Sequence, residues 1–253
     1  MKKRADILLV EQNRCRSRAH AKDLIKQGHV SVNGAQVSKA GEEFDEEIQF
    51  EIKSEKQYVG RGAHKLAAAI EFLQLDVAGK IVADIGASTG GFTEVLLERG
   101  ATFSYAIDVG HGQLAAKLQT NDSVYNLEGV NIKYQFCLFD EIDLAVVDLS
   151  FISLRLVLEN IINLLGPSGC CIALFKPQFE CGLKALNNQG VVKDLDFIKN
   201  ELGKFIEFCE SKQIFIRSVF PCEIKGKQGN QEFFIYIDKT MEHSLIDKKE
   251  LNL

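Results

Sequence analysis

The chain has 253 residues, of which 46% are hydrophobic and 26% charged, enough for a globular domain of ordinary size and a second, smaller one. No apolar stretch approaches the roughly 20 residues that span a bilayer, and the residues after Met1 lack the apolar region of a signal peptide, so we expect a cytoplasmic protein that does not enter a membrane. The seven cysteines contain no Cys-x-x-Cys pair and no grouping with histidine at ligand spacing, which predicts reduced thiols and no metal site.

The N-terminal part of the chain is basic, although the whole chain has a formal net charge of −5. Residues 1–41 hold nine lysines and arginines against three acidic residues, a balance of +6. In chain order, Ser17 can cap a helix over 18–27 that Gly28 ends, and Asn33-Gly34 predicts a hairpin turn within 30–37. Alternation predicts a strand over 48–52. We therefore expect a helix, a helix and a small sheet, with an exposed acidic turn at 42–47.

A stripe of positive charge runs along the helix predicted at 18–27. Arg18, Lys22 and Lys26 recur at spacings of four and share one helical face, which fits a phosphate backbone. The alternative is that these are ordinary solvated helix charges. The string from Arg16-Ser-Arg-Ala to Gly28-His-Val-Ser-Val-Asn-Gly resembles the alpha-L RNA-binding motif of a small-subunit ribosomal protein and of pseudouridine synthases.

That resemblance implies a small α+β RNA-binding domain at 1–56. The RNA-binding residues expected there are Arg4, Arg14, Arg16, Arg18, Lys22 and Lys26, and Arg61 and His64 continue the track beyond the domain.

A glycine turn between two apolar segments marks a ligand site in the second domain. After a linker that we place at 57–62, the domain at 63–240 alternates long helical segments with short apolar runs, and a polar tail at 241–253 is expected to fray. A buried strand at 79–85 leads into the turn and a helix at 93–99, and a second strand at 104–108 ends on Asp108. This order predicts the ligand-binding edge of a doubly wound α/β sheet.

The spacing of these glycines differs from that of a dinucleotide-binding fingerprint, which needs them at its first, third and sixth positions. Here they stand at 86, 90 and 91, and the leading Asp84 suits a ligand with a positive amino acid better than a pyrophosphate. Asp84-x-Gly86-x-x-x-Gly90-Gly91-Phe92 resembles the S-adenosylmethionine motif of ribose methyltransferases.

The resemblance implies a Rossmann-like class I methyltransferase sheet that uses S-adenosylmethionine. Asp108 can accept bonds from both ribose hydroxyls of that cofactor, and the segment 126–131 falls where the fold contacts adenine. The cofactor-binding residues expected on this basis are Asp84, Gly86, Ala87, Ser88, Thr89, Gly90, Gly91, Phe92, Asp108, Val109, Glu128 and Asn131.

Four charged residues mark the boundaries of predicted elements. Lys65 lies just inside a helix, Asp148 and Lys176 end the apolar strands 144–148 and 170–176, and Glu232 precedes the strand 233–237. Open α/β sheets place ligands at such ends, although any one of these charges could simply end a strand in solvent. Two partly desolvated lysines disfavour each other's protonated form, so either could act as a base; His64 is the less favoured base.

The order Lys65, Asp148, Lys176, Glu232 resembles the tetrad of ribose 2′-O-methyltransferases of the FtsJ type. Together with the segments 58–66, 147–153 and 175–180, it makes nearly the whole chain similar to the TlyA family, which methylates cytidine riboses in ribosomal RNA. The resemblance implies that Lys176 accepts the proton while the other three residues position it. The chain is similar to shorter family members, which favours large-subunit RNA, and we expect a monomer.

Two other functions compete with methyl transfer. Relatives in the TlyA family also carry a hemolysin label, which suggests a membrane-lytic protein, but the sequence has no spanning segment, no barrel-like series of strands and no export signal. A catalytically silent ribosome-binding factor is the second alternative. The complete tetrad opposes it, because a silent relative need not keep all four charges.

Overall fold

The computed structural model describes residues 2–15, 17–26, 28–52, 58–182 and 185–246. The chain forms two compact units, 1–57 and 58–253. Three expectations fall on residues outside the described ranges: the RNA contact of Arg16, the first position of the linker at 57, and the tail from 247 onward.

The N-terminal unit packs two helices and short strands around a small apolar core that includes Leu8, Leu24 and Val30. The predicted helix α2 begins where expected, because Ser17 Oγ accepts a hydrogen bond from His20 N–H at 3.2 Å, and Gly28 follows its end at a φ of +80°. The elements are β1 (Lys2–Arg4), α1 (Ala5–Glu11), α2 (Arg18–Lys26), β2 (Val30–Val32), β3 (Ala35–Gln36), β4 (Glu43–Asp45) and β5 (Glu51–Ile52).

The hairpin prediction is confirmed, and two neighbouring predictions are wrong. Asn33 and Gly34 turn between β2 and β3 with φ values of +50° and +76°, as the tight turn requires. The acidic segment 42–47 was expected to be a turn, but it contains β4, which pairs antiparallel with β1. Opposite charges on the two strands favour that pairing. The strand expected over 48–52 is limited to β5, because Ile48 N–H bonds to Asp45 O in a turn.

Two of the expected RNA-binding arginines also have a structural role. Asp6 is fully buried and accepts hydrogen bonds from Arg4 Nε at 2.9 Å and Arg18 Nη2 at 3.0 Å. The bond from Arg4 holds the pKa of the Asp6 carboxyl below its usual value. The two arginine side chains stay 44% and 54% exposed. Each therefore anchors α1 while keeping part of its surface open to solvent.

The second unit is built on a seven-stranded sheet in the order β11-β12-β10-β9-β6-β7-β8. Strands β6 to β10 run parallel, and β12 is antiparallel to both β10 and β11. The elements are α3 (Gly62–Leu73), β6 (Ile81–Ile85), α4 (Gly91–Glu98), β7 (Phe103–Asp108), α5 (Ala116–Gln119), β8 (Val124–Glu128), β9 (Ile142–Val147), a 3₁₀ turn (Leu154–Leu156), α6 (Leu158–Leu164), β10 (Leu165–Phe175), α7 (Pro177–Glu180), α8 (Leu195–Ser211), β11 (Ile216–Pro221) and β12 (Phe233–Asp238).

Both faces of this sheet are covered, as the doubly wound α/β class predicts. Alternate residues of β10 point to opposite faces: Ala173 and Phe175 join one apolar core with α6 and α8, while Ile172 and Leu174 join a second core with α3 and α4. The sheet is therefore buried on both sides, and only its ends and edges remain available for a ligand.

The strand directions bring the predicted charged residues to one end of the sheet. Ile85 of β6 is opposite Val147 of β9, and Phe175 of β10 is opposite Phe233 of β12. Because β12 runs antiparallel, the residue before it lies at the same end as the residues that follow β9 and β10. Glu232, Asp148 and Lys176 therefore meet at the carboxyl ends of the parallel strands.

The beginning of the C-terminal tail is anchored rather than frayed. Leu245 N–H donates to Ile216 O at 3.1 Å, and Ser244 Oγ accepts from Ile216 N–H at 3.1 Å. The prediction of a frayed tail is thus wrong for these two residues.

No helix in the described ranges has both the length and the apolar character needed to cross a bilayer.

The Asp6 carboxylate gives a stability prediction. Asp6→Asn keeps the side-chain size but removes the ion pairs with Arg4 and Arg18, so the N-terminal unit should lose about 1–3 kcal/mol of unfolding free energy at neutral pH. The loss should shrink on acidification, because a carboxyl with a lowered pKa stabilises the fold above its unfolded pKa and stops doing so as the pH falls through its folded value. Hydrogen exchange of the α1 and α2 amides in the whole chain measures both effects. Exposed Asp23→Asn is the control, and equal exchange in the two variants would contradict the prediction.

Candidate active site

The turn between β6 and α4 is held against both neighbouring strands. Gly86 and Ala87 N–H groups donate to Ile107 O of β7 at 2.8 and 3.1 Å. Gly86 has a φ of +89°, and a Cβ there would lie 2.6 Å from the backbone oxygen of Asp148. Only glycine fits this position without displacing backbone. The turn therefore forms a close-fitting cradle at the end of the sheet.

Asp84 is a buried carboxylate beneath that cradle. It is 1% exposed, and its Oδ2 accepts hydrogen bonds from the N–H and hydroxyl of Thr93 at 2.8 and 2.7 Å. Burial raises the pKa of the Asp84 carboxyl to about 7, against the opposing effect of the Thr93 bonds. Its Oδ1 is buried and has no hydrogen-bond partner among the described residues. An acceptor in that state suits a ligand that brings a cationic donor.

A cavity of about 450 Å³ opens at the carboxyl ends of β6, β7 and β9. It contains five residues of the predicted cofactor set: Gly86, Ser88, Asp108, Val109 and Asn131. Apolar side chains complete its walls: Val130 from the segment predicted to contact adenine, and Ile132, Leu149 and Ile152, which the sequence did not assign to the cofactor. The cavity thus combines an apolar slot with a few polar groups, as ligand sites do.

Asp108 ends β7 and stands at the mouth of this cavity. Its Oδ2 accepts from Ser88 N–H at 2.8 Å and its Oδ1 from Gly110 N–H at 2.7 Å. Each carboxylate oxygen has two lone pairs, so each can still accept a bond from a ligand hydroxyl. The two backbone bonds fix the direction in which those lone pairs point.

A second cavity of about 250 Å³ adjoins the first at the glycine turn. It holds most of the remaining predicted cofactor residues: Asp84, Ala87, Thr89, Gly91 and Phe92. Gly60, Arg61 and Gly62, which precede and begin α3, form its other wall with Asp148. The sequence did not assign the two glycines to this site, although their spacing around Arg61 was a signal of close backbone approach.

Glu128 and Gly90 do not line either cavity. Glu128 accepts hydrogen bonds from Gly112 N–H at 2.8 Å and Gln113 N–H at 3.3 Å, and the Gly112 bond is the largest cause of its lowered pKa. Gln113 itself lines the larger cavity. In this structure Glu128 orders the loop that presents Gln113, and Gly90 supplies the positive φ that begins α4.

The four charged residues of the predicted tetrad form two ion pairs. Lys65 Nζ lies 2.6 Å from Glu232 Oε2, and both side chains are nearly buried. Lys176 Nζ lies 2.5 Å from Asp148 Oδ1 and donates to Ser150 Oγ at 3.3 Å. Each lysine is thus neutralised by its own carboxylate. Gln178 Nε2 adds a bond to Glu232 Oε1 at 3.3 Å, which joins α7, directly after Lys176, to the residue that precedes β12.

A third cavity of about 420 Å³ contains all four of these residues. Asp148 lines this cavity and both of the others, and Arg61 and Gly62 line it together with the cavity at the glycine turn. The glycine cradle and the charged tetrad are therefore two halves of one continuous site, with Asp148 as their common wall.

The remaining predicted RNA-binding residues differ in their surroundings. Arg61 is exposed and lines the tetrad cavity, whereas His64 packs edge-on against Tyr58 with ring centroids 5.1 Å apart. On the N-terminal unit, Arg14, Lys22 and Lys26 are exposed.

Sequence reasoning missed several residues at the rim of the tetrad cavity. Lys225 and Lys227 are exposed on the loop between β11 and β12, and Phe151 is 91% exposed beside Phe179. The glycine-rich segment 225–230 was a signal for the lysines. No local pattern distinguishes Phe151 from the apolar residues around it.

Comparison with known proteins agrees with this architecture. Residues 58–239 match the model of the FtsJ-like methyltransferase family, and residues 3–47 match that of the S4 domain. A structure of an S-adenosylmethionine-dependent methyltransferase from Listeria monocytogenes shares the fold, with a TM-score of 0.54 and 17% identity over 71% of this chain and all of that one. The seven-stranded sheet with its charged edge thus defines an FtsJ-like methyltransferase.

Relatives that align over most of the chain identify the family within the FtsJ-like methyltransferases. The 16S/23S rRNA (cytidine-2′-O)-methyltransferase TlyA of Mycobacterium tuberculosis is 35% identical over 97% of this chain and 93% of its own length. The 23S rRNA (cytidine-2′-O)-methyltransferase TlyA of Campylobacter jejuni is 37% identical over 72% of each. The chain belongs to the TlyA family of FtsJ-like methyltransferases, as its motifs predicted.

A solved structure from Streptococcus thermophilus that carries a hemolysin label has a TM-score of 0.69 and 35% identity, and it covers 96% of this chain and 90% of that one. The label does not favour the membrane-lytic alternative, because relatives named for rRNA methylation match the same residues at similar identity.

Proposed function

We propose that this protein transfers a methyl group from S-adenosylmethionine to the 2′-hydroxyl of a cytidine in ribosomal RNA. The observation that carries the proposal is the shared wall at Asp148, which joins a cradle suited to the cofactor to a cavity that contains two lysine–carboxylate pairs. Both TlyA relatives named above include 23S in their names, so large-subunit RNA is favoured and small-subunit RNA is second. Such a substrate implies action in the cytoplasm.

The residues around the glycine turn fit the cofactor. The buried Oδ1 of Asp84, which has no hydrogen-bond partner in the described part of the chain, suits the cationic amino group, and the free lone pairs of Asp108 suit the ribose hydroxyls. The apolar slot with Val130, Ile132 and Leu149, together with Asn131, suits the adenine ring. S-adenosylmethionine supplies an electrophilic methyl group on its sulfonium sulfur when bound. The chain's task is to align that group and exclude water.

The tetrad supplies proton transfer and positioning. We assign Lys176 as the acceptor of the ribose hydroxyl proton, because its ammonium form would keep two partners, Asp148 at 2.5 Å and Ser150 at 3.3 Å. Lys65 and Glu232 line the same cavity and form the second pair, which can orient the ribose and balance charge around Lys176. The geometry favours one lysine as base and the other as a positioning group.

The rim of the tetrad cavity suits an unpaired nucleotide. Arg61, Lys225 and Lys227 surround it with positive charge that can contact phosphates, and the exposed ring of Phe151 can stack on a base. A ribose in a helix would have to be splayed out to reach Lys176. The N-terminal unit adds exposed Arg14, Lys22 and Lys26, so we assign 1–56 to RNA binding and 63–240 to catalysis. The linker at 57–62 joins the two, and its last three residues also line the catalytic cavities.

Loss of Lys176 should abolish chemistry without abolishing cofactor binding. Lys176→Ala should lower methyl transfer about 10²–10⁴-fold, the usual contribution of a general base, while S-adenosylmethionine affinity stays unchanged. The assay follows labelled methyl groups into ribosomal subunits and RNA from a strain that lacks the gene. Lys212→Ala, a surface lysine paired with Glu159, is the matched control.

Two outcomes of that assay would contradict the proposed activity or the role of Lys176. Absence of incorporation by the unaltered protein into either subunit or its RNA would support the silent-factor alternative. Full activity of Lys176→Ala would show that another group accepts the proton, and Lys65→Ala, assayed in parallel, would then be the next candidate.

The Asp84 carboxyl predicts a pH dependence of cofactor affinity. Its pKa of about 7 means that it is protonated below that pH, so affinity for a cationic amino group should rise as the pH increases from about 5.5 to 7 and the carboxylate forms. Asp84→Asn should bind more weakly and lose this rise. Calorimetric titration measures the affinity of both proteins for S-adenosylmethionine across this pH range. Titration of the ligand's own amine affects both proteins equally, so the difference between the two profiles reports the Asp84 carboxyl. Parallel pH profiles would contradict the role of Asp84.

The lysines of α2 predict a salt-sensitive contribution to RNA binding. Removing both by Lys22→Ala and Lys26→Ala should weaken RNA binding and reduce the slope of log affinity against log salt by about 0.9 for each phosphate that is no longer neutralised. S-adenosylmethionine affinity should stay unchanged. The control removes the same charge from the other unit through Lys204→Ala and Lys212→Ala. An unaltered salt slope in the α2 variant would assign RNA binding elsewhere.

A further inference from the structure

The segment that follows β9 carries three groups of the tetrad cavity on irregular backbone. Asp148, Ser150 and Phe151 lie within four residues, before the 3₁₀ turn at Leu154–Leu156. Ser150 Oγ accepts a bond from Lys176, which lies on the neighbouring loop after β10. The distance between these two loops therefore sets the geometry around Lys176.

The backbone of this segment is strained at Phe151. Its φ is +64°, a region that bulky side chains rarely adopt, and its ring is 91% exposed. The only ring that it contacts in the described part of the chain is Phe179 of α7, at a centroid distance of 5.1 Å. Strain of this kind costs about 1–3 kcal/mol and persists only where surrounding contacts impose it. One exposed ring contact is too little to do so.

Glu180 at the end of α7 accepts the hydrogen bonds that hold the residues following Phe151 in place. Its side chain is 1% exposed. Oε1 accepts from Leu154 N–H at 2.6 Å, and Oε2 accepts from Ser153 Oγ at 2.6 Å and from Arg155 Nη1 at 3.0 Å. Burial raises the pKa of the Glu180 carboxyl, and these same bonds oppose the rise. All three donors lie directly after Phe151 and Ile152.

Arg155 ties this contact to the body of the domain. Its Nη2 donates to the backbone oxygen of Glu201 in α8 at 3.3 Å, and its guanidinium lies over the ring of Phe205 at 5.4 Å. Glu180 is thus bonded to a part of the loop that is itself fixed against α8. It lies four residues after Lys176, so a single short helix positions both the lysine and the opposite loop.

We propose that Glu180 is a positioning residue for methyl transfer: it holds the segment 149–154 against α7, so that Asp148 and Ser150 stay in place around Lys176. The proposal rests on the proposed function, because the reaction at Lys176 is what this placement would serve. Glu180 does not line any of the three cavities described above, and it acts through the loop rather than on the substrate.

Glu180→Gln tests the proposal with little change in size. Leu154 N–H bonds to one carboxylate oxygen and the Arg155 guanidinium to the other, so either orientation of the amide places an NH₂ donor against an N–H donor. Glu201→Gln is the matched control, because Glu201 also flanks Arg155, with its Oε2 4.0 Å from Nη2, and its side chain makes no hydrogen bond to the described residues 149–154. Ser153→Ala removes one of the three bonds and should give a weaker effect in the same direction.

The first readout needs neither RNA nor activity. The chain contains no tryptophan, so Phe151→Trp introduces a single indole that reports on the order of the loop. In this background Glu180→Gln should lower the fluorescence anisotropy of the indole, Ser153→Ala should lower it less, and Glu201→Gln should leave it unchanged. Unchanged anisotropy in Glu180→Gln, or an equal fall in Glu201→Gln, would overturn the proposal. Thermal unfolding confirms that each variant is folded.

The second readout is kinetic, in the chain with native Phe151. Glu180→Gln should lower kcat about 10–100-fold, as expected for misplaced reacting groups. Because Leu149 and Ile152 of the same segment line the cofactor cavity, the KM for S-adenosylmethionine should also rise, but by a smaller factor than kcat falls. A rise in that KM as large as the fall in kcat, or an unchanged kcat, would overturn the positioning role. If the unaltered protein methylates no ribosomal RNA, the proposed function fails, while the anisotropy still decides whether Glu180 orders the loop.

Discussion

The pairing of β12 with β10 is the constraint on which the site depends. Five parallel strands would bring only residues that follow strands to the ligand-binding end of the sheet. The antiparallel β12, with Phe233 opposite Phe175, also brings a residue that precedes a strand to that end. Glu232 can then meet Lys65 at 2.6 Å while Lys176 meets Asp148 on the adjacent strand ends. A shift of β12 by one residue would turn Glu232 to the other face of the sheet.

Most of the methyltransferase fold and the tetrad could be predicted because each signal is local. Asp148 and Lys176 follow short apolar runs that favour buried strands, and Gly86 lies in a turn whose spacing resembles the S-adenosylmethionine motif of ribose methyltransferases. The contacts of Glu180 could not be predicted, because its donors belong to a loop 25 or more residues away that has no periodic pattern. The pairing of β4 with β1 was missed for the same reason: its partner is distant, and its acidic composition is typical of a turn.

The three cavities lie at the strand ends of the sheet, and two of them also reach the first turn of α3. Asp148 lines the cavity at the glycine turn and also the cavity that contains the lysine pairs, so a single carboxylate borders both parts of the site. The glycines at 60 and 86 keep that junction open, because a Cβ at 86 would lie 2.6 Å from the Asp148 backbone oxygen and one at 60 would lie 2.7 Å from Thr89 Oγ1. The residues that leave space are as important to the site as those that carry charge.

The Asp6 carboxylate also alters how the charge of the N-terminal unit is counted. Arg4 and Arg18 share one buried anion, and Lys3 lies within 3.5 Å of two acidic side chains, Glu11 and Glu46. These cations present less than their formal charge to a polyanion, whereas Lys22 and Lys26 form no ion pair with the described acidic residues. Lys22 and Lys26 therefore contribute a larger share of the positive field of this unit than the formal count of nine cations suggests.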